Sequence, residues 1–337
     1  MIYQKEKLIA LQGRWNTQKG KKLIKTIKES HCYLSTGAFR QKIKNFPFTN
    51  DEEVKGCVDL RGIPLSGFDF RIPVKEDDGF LEDLAILSSI HFEGAFLKHC
   101  NFQDGAIHDC FFEQADISHS DFRNTSLANC NFQESECNGI NLAGAKLINC
   151  SFIDASIRDV IGTSTIVDQK TTFGKELKSE KEGNFHLTSI EYKQIKEMYK
   201  NSSLHSVADK YHYREMVAKR KILARNNPVR WLNYFFGDVL CKYGTSFFRV
   251  FTFSLIFMAA CAVVYLFSGD LLYNNQQLDN LYFLDSMYFS TVTFTTLGYG
   301  DYQAIGAIRF LAAAESFAGV ALMSLFTVII ARNIIRD

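Results

Sequence analysis

From Ala85 to Asp159 the chain keeps an unbroken five-residue register. The central position reads Leu87, Phe92, Leu97, Phe102, Ile107, Phe112, Ile117, Phe122, Leu127, Phe132, Cys137, Leu142, Leu147, Phe152 and Ile157. Two residues earlier most units carry a small group: Ala95, Cys100, Cys110, Ala115, Ser120, Thr125, Cys130, Ala145, Cys150 and Ala155. Neither the 3.6-residue period of an amphipathic helix nor the two-residue period of a strand fits. A short fixed period with one large and one small inward residue demands a solenoid, whose coils bury their apolar face only against one another. Three more units, Val58–Gly62, Ile63–Gly67 and Phe68–Ile72, precede the run; residues 73–84 interrupt them and shift the phase by two.

The repeat resembles the pentapeptide-repeat family, whose members fold as a right-handed quadrilateral β-helix. That resemblance implies four pentads per coil and almost four coils, stacked at about 4.8 Å each. Residues twenty apart then share a face. Phe92, Phe112, Phe132 and Phe152 are expected to form an internal ladder, with Phe102 and Phe122 opposite, and Cys110, Cys130 and Cys150 to stack. A thiol column could take a soft metal, but cysteine at a small interior position more often acts as a hydrophobe. Some soluble family members imitate DNA through an acidic surface. Here ten acidic residues face Lys98, Arg123, Lys146 and Arg158, which reads as a solvated face. His91, His99, His108 and His119 are read as occupying different repeat positions and coils, which argues against a pH-sensing cluster.

The second constraining stretch is Thr291-Val292-Thr293-Phe294-Thr295-Thr296-Leu297-Gly298-Tyr299-Gly300-Asp301. A filter built from backbone carbonyls needs alternating left- and right-handed dihedrals, and Gly298 and Gly300 tolerate them. The stretch resembles the selectivity filter of potassium channels, with Leu297 where valine is commonest, a variation also found in two-pore-domain channels. The resemblance implies that the carbonyls of Thr296, Leu297, Gly298 and Tyr299, with the Thr296 hydroxyl, replace the hydration shell of K⁺ in the Thr296–Gly300 loop. It also implies four subunits, since one loop supplies a quarter of each oxygen cage. Tyr299 is expected to point away from the axis and Asp301 to concentrate cations at the outer mouth. In many relatives a pore-helix acid or an aromatic N–H ties that aspartate down. Val292 stands at the acid position here, which leaves the Tyr288 hydroxyl as the expected tie.

Flanking segments fit a pore. Phe247–Phe267 is apolar apart from Arg249, Thr252 and Ser254, and 21 residues reach about 31 Å, enough to cross a bilayer. Gly269–Asn280 reads as a polar external loop, 284–295 as a pore helix too short to span, and 305–331 as the second span. Glu315 lies inside that span, where a charge is costly and usually functional. It is expected behind the filter against the pore helix, as a brace or in filter gating. Gly319 resembles the hinge glycine of two-span channels, and helical spacing from it puts Met323, Thr327 and Ala331 near the axis. Lys219, Arg220, Lys221, Arg225, Arg230 and Lys242 precede the first span, and Arg332 and Arg336 follow the second, so both ends are expected in the cytoplasm. With neither an arginine ladder nor a nucleotide-binding or RCK-type domain after the second span, gating input is expected through Pro228–Tyr243. Leu232, Phe235, Phe236, Val239 and Leu240, flanked by Trp231 and Tyr234, suit a helix in the membrane interface.

The remaining segments read as connections. Met1–Lys44 carries eleven Lys or Arg against Glu6 and Glu29, a solvated cap rather than a lipid-binding arm. A helix is expected over Thr17–Ser30 with Leu23, Ile24 and Ile27 on one face, and Pro47 with Asp51-Glu52-Glu53 marks a break. Ile161–Glu182 reads as cap and linker. Thr188-Ser189-Ile190-Glu191 is a capping box for a helix to about Lys200. Ser202 or Ser203 caps a second helix from Leu204 to about Arg225, which Asn226-Asn227-Pro228 stops.

The expected architecture is therefore multidomain: a basic cap (1–55), a quadrilateral β-helix (56–160), a cap and helical linker (161–227), an interfacial helix (228–246) and a two-span tetrameric potassium-channel pore (247–337). A net charge of +1 argues against a nucleic-acid partner. Nine scattered cysteines form neither a zinc pattern nor a disulfide framework, so reduced thiols are expected. No apolar signal region opens the chain. No nucleophile–base pair, phosphate loop or metal spacing suggests an enzyme or a cofactor beyond permeant K⁺. The expected function is a homotetrameric K⁺ channel in the bilayer of the plasma (cell inner) membrane, with a repeat domain that regulates or scaffolds it and offers a surface to a cytosolic protein partner. The alternatives are a less selective cation channel and a membrane-tethered interaction scaffold.

Overall fold

The computed structural model describes residues 5–29, 43, 46–75, 81–274, 276–277 and 281–336. They divide into two compact units, Met1–Ile222 and Leu223–Asp337.

In the first unit the five-residue period becomes a four-faced β-helix. One face is a five-stranded parallel sheet of β4 (Ile86–Ser88), β6 (Ala106–His108), β7 (Ser126–Ala128), β8 (Lys146–Ile148) and β9 (Ile166–Val167). Partners are twenty residues apart, as in Leu87↔Ile107↔Leu127↔Leu147↔Val167. Single bridges such as Phe96↔Asp116↔Glu136↔Ser156 and His91↔Phe111↔Asn131↔Ser151 repeat that spacing on other faces. All fifteen central side chains are buried. The rings of Phe92, Phe112, Phe132 and Phe152 stack at 5.2, 4.8 and 4.7 Å. Phe70, Phe102 and Phe122 stack opposite them at 4.4 and 4.5 Å.

The corners explain the polar positions. The residue two after each centre is left-handed in every unit from Ser89 to Ser164, with φ between 52° and 72°. Glycine, Asn and Asp visit that region most readily, and Asp104, Asp109, Asn124, Asn129, Gly139, Gly144, Asn149 and Asp154 fill it here. Cys110, Cys130 and Cys150 are buried. Burial pushes the Cys110 thiol up to about 12, so it stays protonated as a small hydrophobe.

The structure corrects several expectations. The phase break at 73–84 leaves the stacking intact. Val58 of β1 (Val58–Asp59) pairs with Ile90 of β5 (Ile90–His91) and Asp69 with Asn101, an offset of 32, which is one coil of 20 plus the 12 inserted residues. The insert leaves the solenoid as a hairpin of β2 (Ile72–Lys75) and β3 (Leu81–Leu84). The coils also run past Val160: Ile161 bridges Asn141, Val167 pairs with Leu147 and Thr172 bridges Ser151. The register was hidden because Gly162 stands at a central position. The Met198 side chain occupies the space where its Cβ would be. His99 and His119 are not separate. Twenty residues apart, their rings stack at 5.1 Å.

Both ends of the solenoid are capped. At the N-terminal end α1 (Lys5–Gly13) and α2 (Gln18–Glu29) bury Leu11, Leu23 and Ile27, and Trp15 donates its indole N–H to the Arg61 carbonyl at 2.7 Å. Arg14 forks onto Asp59 at 2.7 and 2.9 Å, while Arg61 reaches Asp59, Asp51 and Glu53. The acidic run is thus half of an ionic node rather than a break; fork geometry of this kind lets buried charges compensate one another. Ser30 lies outside the described residues.

At the other end α3 (Lys178–Lys181), α4 (Phe185–Asn201) and α5 (His205–Ile222) close the core, with Tyr199 and Tyr211 edge-on to Phe173, the last rung of the ladder. Helix α4 starts three residues before the expected box. Asn184 caps it, accepting from the Leu187 amide at 3.2 Å, and Glu191 is buried against Ser179 instead. Neither Ser202 nor Ser203 caps α5, which follows Leu204: Ser202 accepts from the Val167 amide at 2.7 Å and Ser203 is left-handed. Lys219 and Lys221 pair with Glu215 and Glu180, which leaves less free charge at this end than the sequence implied.

In the second unit, Asn227 caps α6 (Pro228–Leu232), and the chain continues as a π-helix over Asn233–Leu240. Trp231, Leu232, Tyr234, Phe235, Phe236 and Val239 are exposed on it. Among the described residues two helices are long and apolar enough to cross a membrane, α7 (Phe247–Ser268) and α9 (Ile308–Arg336). Between them lie β10 (Leu271–Tyr273), β11 (Gln276–Gln277), α8 (Phe283–Phe294) and β12 (Tyr302–Ala304). The expected polar loop is therefore a small antiparallel sheet in which β10 pairs with β12, just beyond the glycine-rich loop.

Candidate functional site

Helix α8 aims its C-terminus at the Thr296–Gly300 loop. Its last carbonyls are consumed locally: Thr295, Thr296 and Leu297 amides donate to Thr291, Thr293 and Val292. From there the backbone alternates. Thr296, Gly298 and Gly300 have φ of 57°, 56° and 80°, whereas Leu297 and Tyr299 are not among the positive-φ residues. Only glycine occupies that region freely, which is the reason for the Gly-x-Gly spacing. Thr296 pays a conformational cost there, and its hydroxyl is turned back to the Thr295 carbonyl at 2.7 Å. In this chain Leu297 is 58% and Tyr299 68% exposed, so its own residues do not pack them.

Aromatic groups brace the outer side. The Tyr302 hydroxyl donates to Asp285 at 3.0 Å, and Asp285 in turn accepts from the Tyr282 amide at 3.2 Å, closing the first turn of α8. Tyr288 packs on Tyr302 at 5.7 Å, beside Asp301. The Asp301 carbonyl accepts from the Asn274 amide at 2.8 Å. Val292 is buried and supplies only its carbonyl.

Behind the loop, Glu315 is fully buried on α9. It accepts from Tyr265 of α7 at 2.6 Å and pairs with Ser290 of α8, which also lies 2.9 Å from the Met258 carbonyl. One carboxyl thus joins three helices. Sequence reading overlooked Tyr265 and Ser290. The signal was present: a hydroxyl inside an apolar span must find a partner. Gly319 sits one turn further on, against the Phe294 backbone at the end of α8, and α9 runs unbroken through it. Met323, Thr327 and Ala331 are exposed, while Leu322 and Ile329 are buried in the unit's core.

Comparison with known proteins agrees with this division. The ion-channel family matches residues 260–336, across the C-terminal part of the first apolar helix, the loop and the second apolar helix. Pentapeptide repeats, in eight copies, match 97–133 and 125–161. No curated protein matches the chain. Among solved structures, the pentapeptide repeat protein Rfr23 from the cyanobacterium Cyanothece 51142 is 18% identical over 35% of this chain and 89% of that one, with a TM-score of 0.26. A pentapeptide repeat protein of the Arabidopsis thaliana thylakoid lumen is 19% identical over 38% and 77%, with a TM-score of 0.29. The chain is a membrane protein with an ion-channel domain. More narrowly, it joins a two-span ion-channel unit of the potassium-channel type to an N-terminal pentapeptide-repeat domain.

Proposed function

We propose that the protein is a homotetrameric, K⁺-selective channel of the plasma (cell inner) membrane, with both termini in the cytoplasm. The carrying observation is the alternation of left-handed Thr296, Gly298 and Gly300 with Leu297 and Tyr299 at the end of a short helix. An alternating backbone turns successive carbonyls toward one side, and four such loops make the oxygen cages that replace a K⁺ hydration shell. The exposure of Leu297 and Tyr299 in one subunit supports packing against neighbours. On this reading Asp301 draws cations to the mouth, Glu315 braces the filter, and Met323, Thr327 and Ala331 line the inner path. The protein acts without enzymatic chemistry and needs no cofactor besides the permeant ion. The repeat domain regulates or scaffolds the pore and offers its outer faces to a cytosolic protein partner.

The test is K⁺ against Na⁺ flux in liposomes containing the purified chain. A reversal potential that follows the K⁺ gradient is expected. One midway between the K⁺ and Na⁺ values would identify a less selective cation channel, and absence of any conductance would leave the membrane-tethered scaffold.

A further inference from the structure

The elbow between the interfacial helix and α7 carries more constraint than a connection needs. Lys242, Tyr243 and Gly244 are left-handed in succession, with φ of 49°, 53° and 76°. Only the third is a glycine, so two of the three residues hold an unfavourable backbone. The turn is drawn tight by the Tyr243 amide, which donates to the Gly237 carbonyl at 2.6 Å, and by the Gly244 amide, which donates to Cys241 at 3.0 Å. The Tyr243 ring fills the space beside Gly237, where a side chain would collide with it.

Two arginines, one early and one late in the sequence of this unit, hold the elbow. Arg249, in the first turn of α7, donates to the Asp238 carbonyl of the π-helix at 2.8 Å. Arg332, in the last turns of α9, donates to the Gly244 carbonyl at 3.0 Å. Beneath them Leu240, Cys241, Val250, Leu322 and Ile329 share one core cluster. The rings of Phe247 and Phe251 lie 6.4 and 6.2 Å from Phe326. Both arginines donate to backbone carbonyls, and Arg249 also lies 3.9 Å from the Asp238 carboxylate. A hydrogen bond from an arginine to a carbonyl is weaker than a bidentate ion pair, so it can break and reform.

We propose that the 241–246 elbow is a gating joint: Arg332 latches the inner end of α9 to a strained turn, so that displacement of the interfacial helix is delivered to the second span. This rests on the channel reading, because the inner end of α9 bears on conduction only if it lines a pore. Strain in the turn opposes the latch, and the two set the position of α9 between them.

The experiment uses the full chain in nanodiscs and planar bilayers. Arg332→Gln should change open probability at least threefold while unitary conductance and the K⁺/Na⁺ ratio stay put. Arg332→Lys, which keeps a donor, should remain near wild type. Lys242→Gly relieves backbone strain without touching the latch and should shift open probability in the opposite direction to Arg332→Gln. Independently, hydrogen exchange of the 241–246 amides should be at least tenfold faster in Arg332→Gln than in wild type or Arg332→Lys. Unchanged exchange, unchanged open probability, or shifts of the same sign in Arg332→Gln and Lys242→Gly would each overturn the proposal. A wild-type chain that conducts nothing would instead refute the channel reading, and the exchange measurement would still decide whether the latch exists.

Discussion

Gly319 touches the backbone of Phe294: a Cβ on Gly319 would overlap the Phe294 carbonyl oxygen. Helix α9 therefore meets the end of α8 with no side chain between them, next to the Thr296–Gly300 loop. A glycine kept for bending and a glycine kept for contact make different demands. Alanine barely alters helix bending but cannot enter this contact without moving one helix. If the chain forms the proposed K⁺-selective tetramer, Gly319→Ala is expected to lower the stability of the assembly by about 1–3 kcal/mol, as overpacking does, and to impair K⁺ selectivity. Thermal dissociation of the assembly in detergent and reversal potentials measure both. A variant that only slows opening would restore the hinge reading.

The Glu315 carboxyl holds α7, α8 and α9 together through Tyr265 and Ser290. Removing one hydroxyl leaves a buried carboxyl oxygen short of a donor, a loss of about 1–3 kcal/mol. Tyr265→Phe and Ser290→Ala should each lower the dissociation temperature. In a Glu315→Gln background the same changes should cost less, because they share one network. Additive losses would show that the three residues act separately.

In the repeat domain Glu93 and Glu113 occupy the same position on adjacent coils, both buried. Glu93 is hydrogen-bonded to His91 at 2.6 Å, and Glu113 accepts from Asn131 at 2.5 Å. Burial first, and the Glu93 charge second, push the Glu113 carboxyl up to about 7 from 4.5. The folded chain then holds a proton that the unfolded chain releases. Its stabilising contribution is complete below pH 4.5 and is lost as pH rises through 7. The effect is on the order of 3 kcal/mol. In the full chain carrying Trp231→Phe, urea midpoints followed at Trp15 should fall between pH 5 and pH 7.5. Glu113→Gln should flatten that dependence, and a slope surviving in that variant would assign it elsewhere.

Some of this molecule was open to reading and some was not, for identifiable reasons. The phenylalanine ladder follows from a period alone, because stacking at twenty-residue intervals is set by coil geometry. The final turn of the solenoid was missed because its central position holds Gly162, whose missing volume is supplied by Met198 from α4, 36 residues further along the chain. Capping failed for a similar reason. Thr188–Glu191 has the right local chemistry, but Glu191 is buried against Ser179, and the helix starts instead at Asn184. The acidic run Asp51–Glu53 marked a break only while its partner Arg61 was unknown.

By itself the amino-acid order determined the two architectures, since a five-residue register and a glycine-spaced loop between two apolar spans each admit few backbones. It could also name Glu315 as a charge out of place in a membrane helix and Gly319 as a residue resembling a hinge glycine. Only the tertiary structure decided what they touch. It set Glu315 between Tyr265 and Ser290, Gly319 against Phe294, and Arg332 on the Gly244 carbonyl, 88 residues away. Periodicity is a property of neighbours along the chain, whereas hydrogen-bond partners and close contacts between helices depend on how the helices pack, which no local pattern records.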